Sequence, residues 1–212
     1  MKARLALRLR RRLGVTGEGP KSTPRWRVAI LDDHERSRAS LRAAIWSAGG
    51  EVVGEAVRCA DALELVRRAS PDVAVFAVGL PDGDGVEAAR QVIGADCPVV
   101  LFTSHTKQEL VDRARAAGVM SFLLKPLRSA ELAPVLDLAV ARFRETLELR
   151  RSLKDRKIIE RAKGRLMARY QLSEEEAFRR LRRAAMDSRR PMVDIARALL
   201  VSESVASDVP TH

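Results

Sequence analysis

Four polar residues in the middle of the chain have the side-chain types of a site for a cation and an anionic group. Asp32 and Asp33 follow one apolar run, Thr103 ends a later one, and Lys125 follows another. Adjacent carboxylates can bind a hard cation, while a hydroxyl and an ammonium can bind the oxygens of an anion. Together these residues could hold a cation beside an anionic group, provided that the fold brings them to one place.

The elements that must position these residues are apolar strands alternating with amphipathic helices. Five short apolar segments are predicted strands: residues 26–31, 52–56, 73–78, 99–103 and 121–124. Strands and helices in alternation predict a doubly wound α/β fold with a five-stranded parallel sheet. In such folds the functional site lies at the carboxyl ends of the strands. Five residues of interest fall at these ends: Asp32, Asp33, Ala77, Thr103 and Lys125.

Residues 27–135 resemble the receiver domain of response regulators, which has a flavodoxin-like fold. Asp32 and Asp33 match the positions that hold Mg²⁺ in that family. Thr103 and Lys125 match the positions that contact the phosphoryl group. Phe122, three residues before the lysine, matches the aromatic residue that switches with activation. The resemblance therefore assigns Thr103, Phe122 and Lys125 as switch residues.

The position of the phosphoacceptor breaks this pattern. The family places an aspartate four residues before Pro81, and this chain has Ala77 there. A methyl group can neither attack a phosphoryl donor nor bind Mg²⁺, and Asp82 and Asp84 lie beyond the proline. We therefore expect no phosphorylation at the usual position and no enzymatic activity. The domain is a natural pseudo-receiver, an engineered blocked variant or a receiver phosphorylated elsewhere.

The loss of one carboxylate also affects the expected metal site. Asp32 and Asp33 are either a weak Mg²⁺ site or a vestigial acidic pocket, and no cofactor is required. Strand termination and pairing with this acidic pocket would explain Thr103 and Lys125 equally well.

Net charge divides the 212 residues into three parts. The chain carries 39 Lys and Arg against 28 Asp and Glu, a formal charge of +11. Residues 1–24 contribute +6, residues 25–138 contribute −2 and residues 139–212 contribute +7. We expect residues 1–24 to be a disordered basic tail and assign it no function. A basic module at the other end favours a polyanionic partner.

Cysteine content and hydropathy bear on the cellular compartment of the protein. Two cysteines are too few for a disulfide framework, and no apolar run approaches the length of a membrane span. We therefore expect a cytoplasmic protein with no membrane partner.

A long helix is predicted from Ser129 to about Tyr170. Its part at 136–153 is a linker that could form a coiled coil, and we expect a homodimer, although the apolar spacing defines no regular heptad. Further along, five cations share one stripe at 100° per residue: Arg150, Lys154, Lys157, Arg161 and Arg165. The adjacent face, which ends with Tyr170, is apolar and suited to burial. The stripe could also be an ordinary solvated helix face.

Two shorter helices are predicted after the long one. Ser173 and Glu176 form a capping box, and Pro191 opens the last helix. Their apolar faces predict a small all-α three-helix bundle over 154–203, joined to the receiver by the long helix. Phe178 is predicted to lie in its core, and residues 204–212 to be a disordered tail.

Residues 150–203 are similar to the ANTAR domain. The motifs that carry this resemblance are 160–167 (ERAKGRLM), 173–178 and 185–191. The resemblance implies binding to hairpin loops in nascent messenger RNA, which prevents a terminator from forming. The predicted RNA contacts are, first, Lys157, Arg161, Lys163 and Arg165 and, second, Arg182, Arg183, Arg189 and Arg190. Lys163 lies off the stripe and is included through the family motif alone.

The leading interpretation is therefore an RNA-binding antiterminator of two-component type whose receiver does not respond to phosphate. It would be constitutively active, controlled by a protein partner, or controlled by its concentration through dimerisation. One alternative is a DNA-binding response regulator, although the cations lie along the first helix rather than at the start of a recognition helix. Another is a pseudo-receiver adaptor that acts through protein–protein contacts.

Overall fold

The computed structural model describes the backbone of residues 23–207 and the side chains of residues 23–202. The chain divides into two compact units between Phe143 and Arg144. Nearly all of the predicted basic tail at 1–24, and the end of the predicted tail at 204–212, lie outside the described residues. Within the described part, no helix is both long enough and apolar enough to cross a membrane.

A five-stranded parallel sheet forms the centre of the first unit, as the sequence predicts. Its strands are β1 (Arg27–Leu31), β2 (Glu51–Ala56), β3 (Val73–Ala77), β4 (Val99–Thr103) and β5 (Ser121–Leu124). Their spatial order is β2-β1-β3-β4-β5, and all four pairings are parallel. Every residue of β3 and β4 is buried, which explains why these strands are apolar runs without alternation.

Helices connect the strands and cover the sheet. They are α1 (Glu35–Ser47), α2 (Ala62–Ala69), α3 (Gly85–Gly94) and α4 (Gln108–Ala117). Gly118 ends α4 with φ of +86°, a left-handed conformation that glycine adopts without steric cost. The predicted loop after β3 contains a two-residue antiparallel ladder between Gly79–Leu80 and Gly83–Asp84.

The long helix α5 (Ser129–Tyr170) begins in the first unit and continues into the second. In the first unit its buried residues join the core of the sheet, including Leu132 and Leu136, both fully buried. Asp137 accepts a hydrogen bond from Trp26 Nε1 at 3.0 Å and also pairs with Arg25. These contacts attach the start of α5 to the chain segment that leads into β1.

The second unit contains the rest of α5 together with α6 (Glu174–Ser188) and α7 (Met192–Ser207). Its core consists of small and branched residues, with larger apolar side chains around them: Ala162, Leu166, Ala177, Leu181 and Ala196. α7 extends to Ser207, past the predicted boundary at 203. The predicted order of elements, a parallel α/β sheet followed by a long helix and a helical bundle, is confirmed.

Candidate functional site

The register of the parallel sheet brings four strand ends to neighbouring positions on one edge. The register pairs Leu31 with Phe76, Ala77 with Phe102 and Thr103 with Leu124. Four residues therefore lie at the last position of a strand or at the next one: Asp32, Ala77, Thr103 and Lys125. The backbone N–H of Lys125 donates to the carbonyl oxygen of Thr103 at 2.8 Å, which extends the ladder to the edge. The residues that were predicted to share a site from their positions in the sequence are therefore neighbours.

Asp32 is the most buried charged residue of this edge, and both of its carboxylate oxygens have donors. Its side chain is 1% exposed. Oδ2 accepts a hydrogen bond from Lys125 Nζ at 2.7 Å, and Oδ1 accepts one from the backbone N–H of His34 at 2.9 Å. A buried carboxylate needs such partners because burial removes its hydration. Lys125 thus neutralises Asp32 within the protein.

The loop that carries Asp33 is held by α1. Arg38 donates from Nη1 to the backbone carbonyl oxygens of Asp32 at 2.7 Å and Asp33 at 3.0 Å. The carboxylate of Asp33 lies 2.7 Å from Nδ1 of His34, an exposed residue. The first carbonyl groups after β1 are therefore fixed, and the Asp33 side chain points to a partially exposed surface.

These residues fit a magnesium ion poorly. One atom each from Asp32, Asp33 and His34 lies within 4.8 Å of the others, so two carboxylates and an imidazole converge. Mg²⁺ prefers oxygen ligands in a nearly ideal octahedron, and the ammonium of Lys125 already occupies one oxygen of Asp32. The side chain of Ala77, at the end of the neighbouring strand β3, offers no ligand atom.

Ala77 ends β3 as a buried residue, 3% exposed. A Cβ added to Gly85 would lie 1.8 Å from the carbonyl oxygen of Ala77, so the start of α3 approaches the end of β3 too closely for any side chain. Gly85 also donates its N–H to the carbonyl oxygen of Val78 at 2.7 Å. The backbone around Ala77 is consequently tightly packed.

The two aspartates in the outgoing loop have structural partners. Asp82 accepts hydrogen bonds from the backbone N–H groups of Ala60 at 3.1 Å and Cys59 at 2.8 Å, which lower the pKa of Asp82. Asp84 caps α3 by accepting from the N–H of Val86 at 2.8 Å, and it pairs with Arg113. Both carboxylates hold the loop against neighbouring elements.

Thr103 and Phe122 complete the predicted switch set. Thr103 is 4% exposed, and its hydroxyl donates to the carbonyl oxygen of His105 at 3.1 Å. Phe122 in β5 is partly buried. The hydroxyl of Thr103 is therefore engaged with the loop that follows its own strand.

The cationic stripe of α5 is exposed along its whole length. All five of its members are exposed: Arg150, Lys154, Lys157, Arg161 and Arg165. Within the described part of the chain, the first four of these make no ion pair. Four uncompensated cations on a single helix face favour a polyanionic ligand.

Lys163 has a different environment from the stripe. It is 8% exposed, and Nζ lies 2.7 Å from Glu174 and 2.9 Å from Glu160. Hydrogen bonds to Glu174, the stronger influence, and to Glu160 raise the pKa of Lys163, and the ammonium in turn lowers the pKa of Glu174. Lys163 thus joins α5 to the first turn of α6, and its charge is already compensated.

The start of α6 has the predicted capping box. Ser173 Oγ accepts from the N–H of Glu176 at 3.3 Å, and Glu176 accepts from the N–H of Ser173 at 2.9 Å. The second predicted set of RNA contacts, on α6 and after it, is exposed: Arg182, Arg183, Arg189 and Arg190. These side chains are accessible to a ligand.

Two aromatic residues of the second unit are more exposed than the sequence predicts. Phe178, predicted to be in the core, is 37% exposed, because the core positions of α6 are occupied by Ala177 and Leu181. Tyr170, placed on the face suited to burial, is 48% exposed. Its ring instead contacts Arg180, a residue that sequence periodicity did not single out because the contact joins two helices.

A doubly wound parallel sheet with an aspartate pair, a threonine and a lysine at its carboxyl edge defines a receiver domain. The family model described as the response regulator receiver domain matches residues 28–137, and the model described as the ANTAR domain matches residues 147–200. The chain belongs to the family of response regulators in which an ANTAR domain follows the receiver.

Known proteins resemble the whole chain or its first unit. The transcriptional regulatory protein PdtaR of Mycobacterium tuberculosis is 36% identical over 203 residues, which cover 92% of this chain and 98% of PdtaR. The DNA-binding transcriptional activator DevR/DosR of the same organism is 39% identical over 111 residues, 50% of this chain and 51% of DevR/DosR.

Among solved structures, the signal receiver domain of the putative response regulator NarL from M. tuberculosis is 31% identical. It has a TM-score of 0.50 and covers 57% of this chain and 98% of that domain. A LuxR-family response regulator from Aurantimonas is 30% identical with a TM-score of 0.51, covering 55% of this chain and 85% of that one.

Proposed function

We propose that the protein is an RNA-binding transcription antitermination regulator that binds hairpin loops in nascent messenger RNA. The observation that carries this proposal is the exposed cationic stripe on α5, which lies within the segment that matches the ANTAR domain. Lysine and arginine side chains gain affinity for nucleic acid by displacing counterions from phosphates. The contacts are Lys157, Arg161 and Arg165, with Arg182, Arg183, Arg189 and Arg190 as a second set.

Lys163 does not belong to this contact set. Its ammonium is held by Glu160 and Glu174, and a phosphate would have to displace both carboxylates. We assign it the positioning of α6 on α5, which orients the RNA-binding surface without touching the ligand.

The receiver does not accept phosphate at the usual position. Ala77 occupies the phosphoacceptor position at the end of β3, and Lys125 pairs with Asp32. The aspartates nearest in sequence, Asp82 and Asp84, are engaged in holding the outgoing loop. Loss of the phosphoacceptor leaves constitutive activity, control by a protein regulator or control by concentration through dimerisation, and no metal or other cofactor is required.

A second copy of the chain is the expected protein partner. Leu149 and Leu153 lie four residues apart on α5 and are 63% and 53% exposed. Leucines at this spacing lie on one face of a helix and become buried when two such helices pair. A dimer would present two RNA-binding surfaces. Binding through both surfaces at once would raise the affinity for RNA by an amount that depends on the distance between them.

A titration with three nucleic acids tests the proposal. The full chain is mixed with a tandem-hairpin RNA, a scrambled RNA of equal length and a matched DNA duplex, each at two salt concentrations. We expect the hairpin RNA to bind most tightly, with affinity that falls as salt rises. Equal affinity for all three would reduce the interaction to nonspecific electrostatics, and absence of binding would favour a protein-binding adaptor.

The match to the DNA-binding activator DevR/DosR supports no DNA-binding function for this chain. That match covers about half of each protein, the share of this chain that the receiver domain occupies. The cationic stripe lies along the long first helix of the second unit, whereas a helix-turn-helix protein presents its second helix to the major groove.

A further inference from the structure

The last residue of α5 forms an exposed aromatic and cationic cluster with two arginines. Tyr170 is 48% exposed. The guanidinium carbon of Arg180, from α6, lies 4.8 Å from the centre of the tyrosine ring, and that of Arg169 lies 5.5 Å from it. These distances are typical of cation–π contacts. A ring and planar cations thus share one accessible surface.

Packing and ion pairing do not account for the contact between Arg180 and the Tyr170 ring. Arg180 is exposed and makes no ion pair with any carboxylate among the described residues. An exposed cation–π contact contributes only about 0.5–1 kcal/mol to stability. The bundle core, formed around Ala162 and Leu181, does not include Tyr170.

The cluster lies at the end of a row of cations that continues from the cationic stripe of α5. Arg161, Arg165 and Arg169 are each four residues apart on α5, so each is about 6 Å further along the helix axis. At 100° per residue, each step also turns by about 40° towards the face that carries Tyr170. A row of exposed cations therefore leads along the helix and ends at the exposed ring.

A second exposed aromatic residue has surroundings that suit RNA less well. Phe178 lines an open groove of about 610 Å³ together with Ile159 and Met192. The lining of this groove contains three carboxylates and two guanidinium groups, so it carries no excess of positive charge to attract phosphate: Glu148, Asp155, Glu160, Arg151 and Arg156. No guanidinium lies over the Phe178 ring among the described residues. The two aromatic residues of the same bundle are therefore a matched pair for experiment.

We propose that Tyr170 and Arg180 form the base-stacking site of the protein, which receives an unpaired base from the RNA loop. Sequence-specific RNA recognition uses splayed loop bases that stack on aromatic rings and guanidinium planes. The row from Arg161 to Arg169 holds the phosphates next to that base. This inference rests on the proposed RNA binding and adds to it the residues that distinguish a loop from a paired stem.

The test compares four variants of the full chain on the tandem-hairpin RNA: Y170L, Y170F, R180K and the control F178L. Affinity is measured at several salt concentrations, and 2-aminopurine is placed at each loop position in turn to report stacking by its fluorescence. Helix content and thermal midpoint are recorded for every variant to verify folding.

We expect Y170L to weaken hairpin binding by about tenfold or more while leaving the salt dependence unchanged, since stacking is not a phosphate contact. R180K should weaken binding less, because it keeps the charge and loses the planar group. Y170F and F178L should bind like the unmodified protein. At one loop position, the change in 2-aminopurine fluorescence on binding should be absent with Y170L and present with the unmodified protein and the other variants.

Three results would overturn the proposal. If the unmodified protein binds the hairpin tightly and Y170L binds it equally well, the stacking site is wrong and the proposed function still stands. If F178L and Y170L weaken hairpin binding equally, the loss of affinity does not depend on the Tyr170–Arg180 contact and reflects the loss of any exposed aromatic residue. If the unmodified protein fails to distinguish hairpin RNA from duplex DNA, both the function and the stacking site are wrong.

Discussion

Lys125 Nζ lies 2.7 Å from Oδ2 of Asp32, joining the end of the last strand of the sheet to the end of β1. The carboxylate is buried, so the ammonium supplies the positive charge that a bound cation would otherwise provide. With Ala77 between them on the same edge, the site contains an internal ion pair and no carboxylate at the end of β3. This arrangement underlies the first prediction.

Replacing Ala77 with aspartate should make the receiver phosphorylatable. In A77D a carboxylate joins Asp32 and Asp33, so that the edge has a nucleophile and a third ligand for Mg²⁺. We expect acetyl phosphate with Mg²⁺ to label A77D and to leave the unmodified protein and the near-isosteric A77N unlabelled. Intact-protein mass spectrometry measures the added group. Stoichiometric labelling of the unmodified protein would contradict the assignment of a blocked receiver.

The salt dependence of RNA binding should identify the phosphate contacts. Neutralising Lys157 or Arg161 in the variants K157Q and R161Q should weaken binding to all RNA sequences and lower the slope of log affinity against log salt by about 1 each. R36Q, which removes an exposed arginine of α1, is the matched control and should leave the slope unchanged. Fluorescence anisotropy at four salt concentrations gives the slopes. Equal slopes for all variants would place the phosphate contacts elsewhere.

The Lys163–Glu174 ion pair should make the stability of the bundle depend on pH in a defined direction. The pKa of Glu174 is lowered in the folded protein, so its stabilising effect is present above the ordinary value of 4.5 and is lost as pH falls through the folded pKa. We expect E174Q to be less stable than the unmodified protein at neutral pH, with the difference shrinking under acidic conditions. Urea unfolding followed by circular dichroism measures both.

A double-mutant cycle distinguishes this pair from a general charge effect. K163Q and E174Q should each destabilise the bundle, and the double variant should lose less than the sum of the two. K163Q should also leave the salt slope of RNA binding unchanged, since the lysine is not a phosphate contact. A lower slope for K163Q would return Lys163 to the RNA-binding set.

Two helical glycines should respond oppositely to alanine. A Cβ at Gly85 would lie 1.8 Å from the carbonyl oxygen of Ala77, so G85A should destabilise the receiver by about 1–3 kcal/mol. A Cβ at Gly164 within α5 would have no atom within 4 Å, so G164A should stabilise the bundle by about 0.5–1 kcal/mol. Chemical denaturation of the two variants provides the comparison. Destabilisation by G164A would indicate a packing constraint on α5 that the described residues do not show.

Much of the receiver edge was predictable because its elements are local. The strands that end at or just before Asp32, Thr103 and Lys125 are apolar runs, so these residues could be assigned to strand ends without coordinates. Parallel strands then meet at one edge whatever their order. The pairing of Lys125 with Asp32 could be suggested only as one possibility, because it depends on the spatial order of the strands and on the reach of one side chain.

The bundle was harder to predict because its side chains are shared between helices. Periodicity correctly placed Ala162 and Leu166 in the core, since a buried face repeats along one helix. It failed for Phe178 and Tyr170, whose exposure depends on how closely α6 and α7 approach α5. The same cause explains Lys163, whose partner Glu174 lies beyond the turn that separates α5 from α6.

By itself, the sequence determined the class of fold, the order of the elements, the absence of a carboxylate at Ala77 and the exposed cations of α5. These features follow from residue type and from periods of two and 3.6 residues, which are properties of single segments. Only the tertiary structure decided which charges are compensated. Lys125 and Lys163 are paired with carboxylates, whereas Lys157 and Arg161 face solvent, because each pairing requires a partner from another element within a few ångströms.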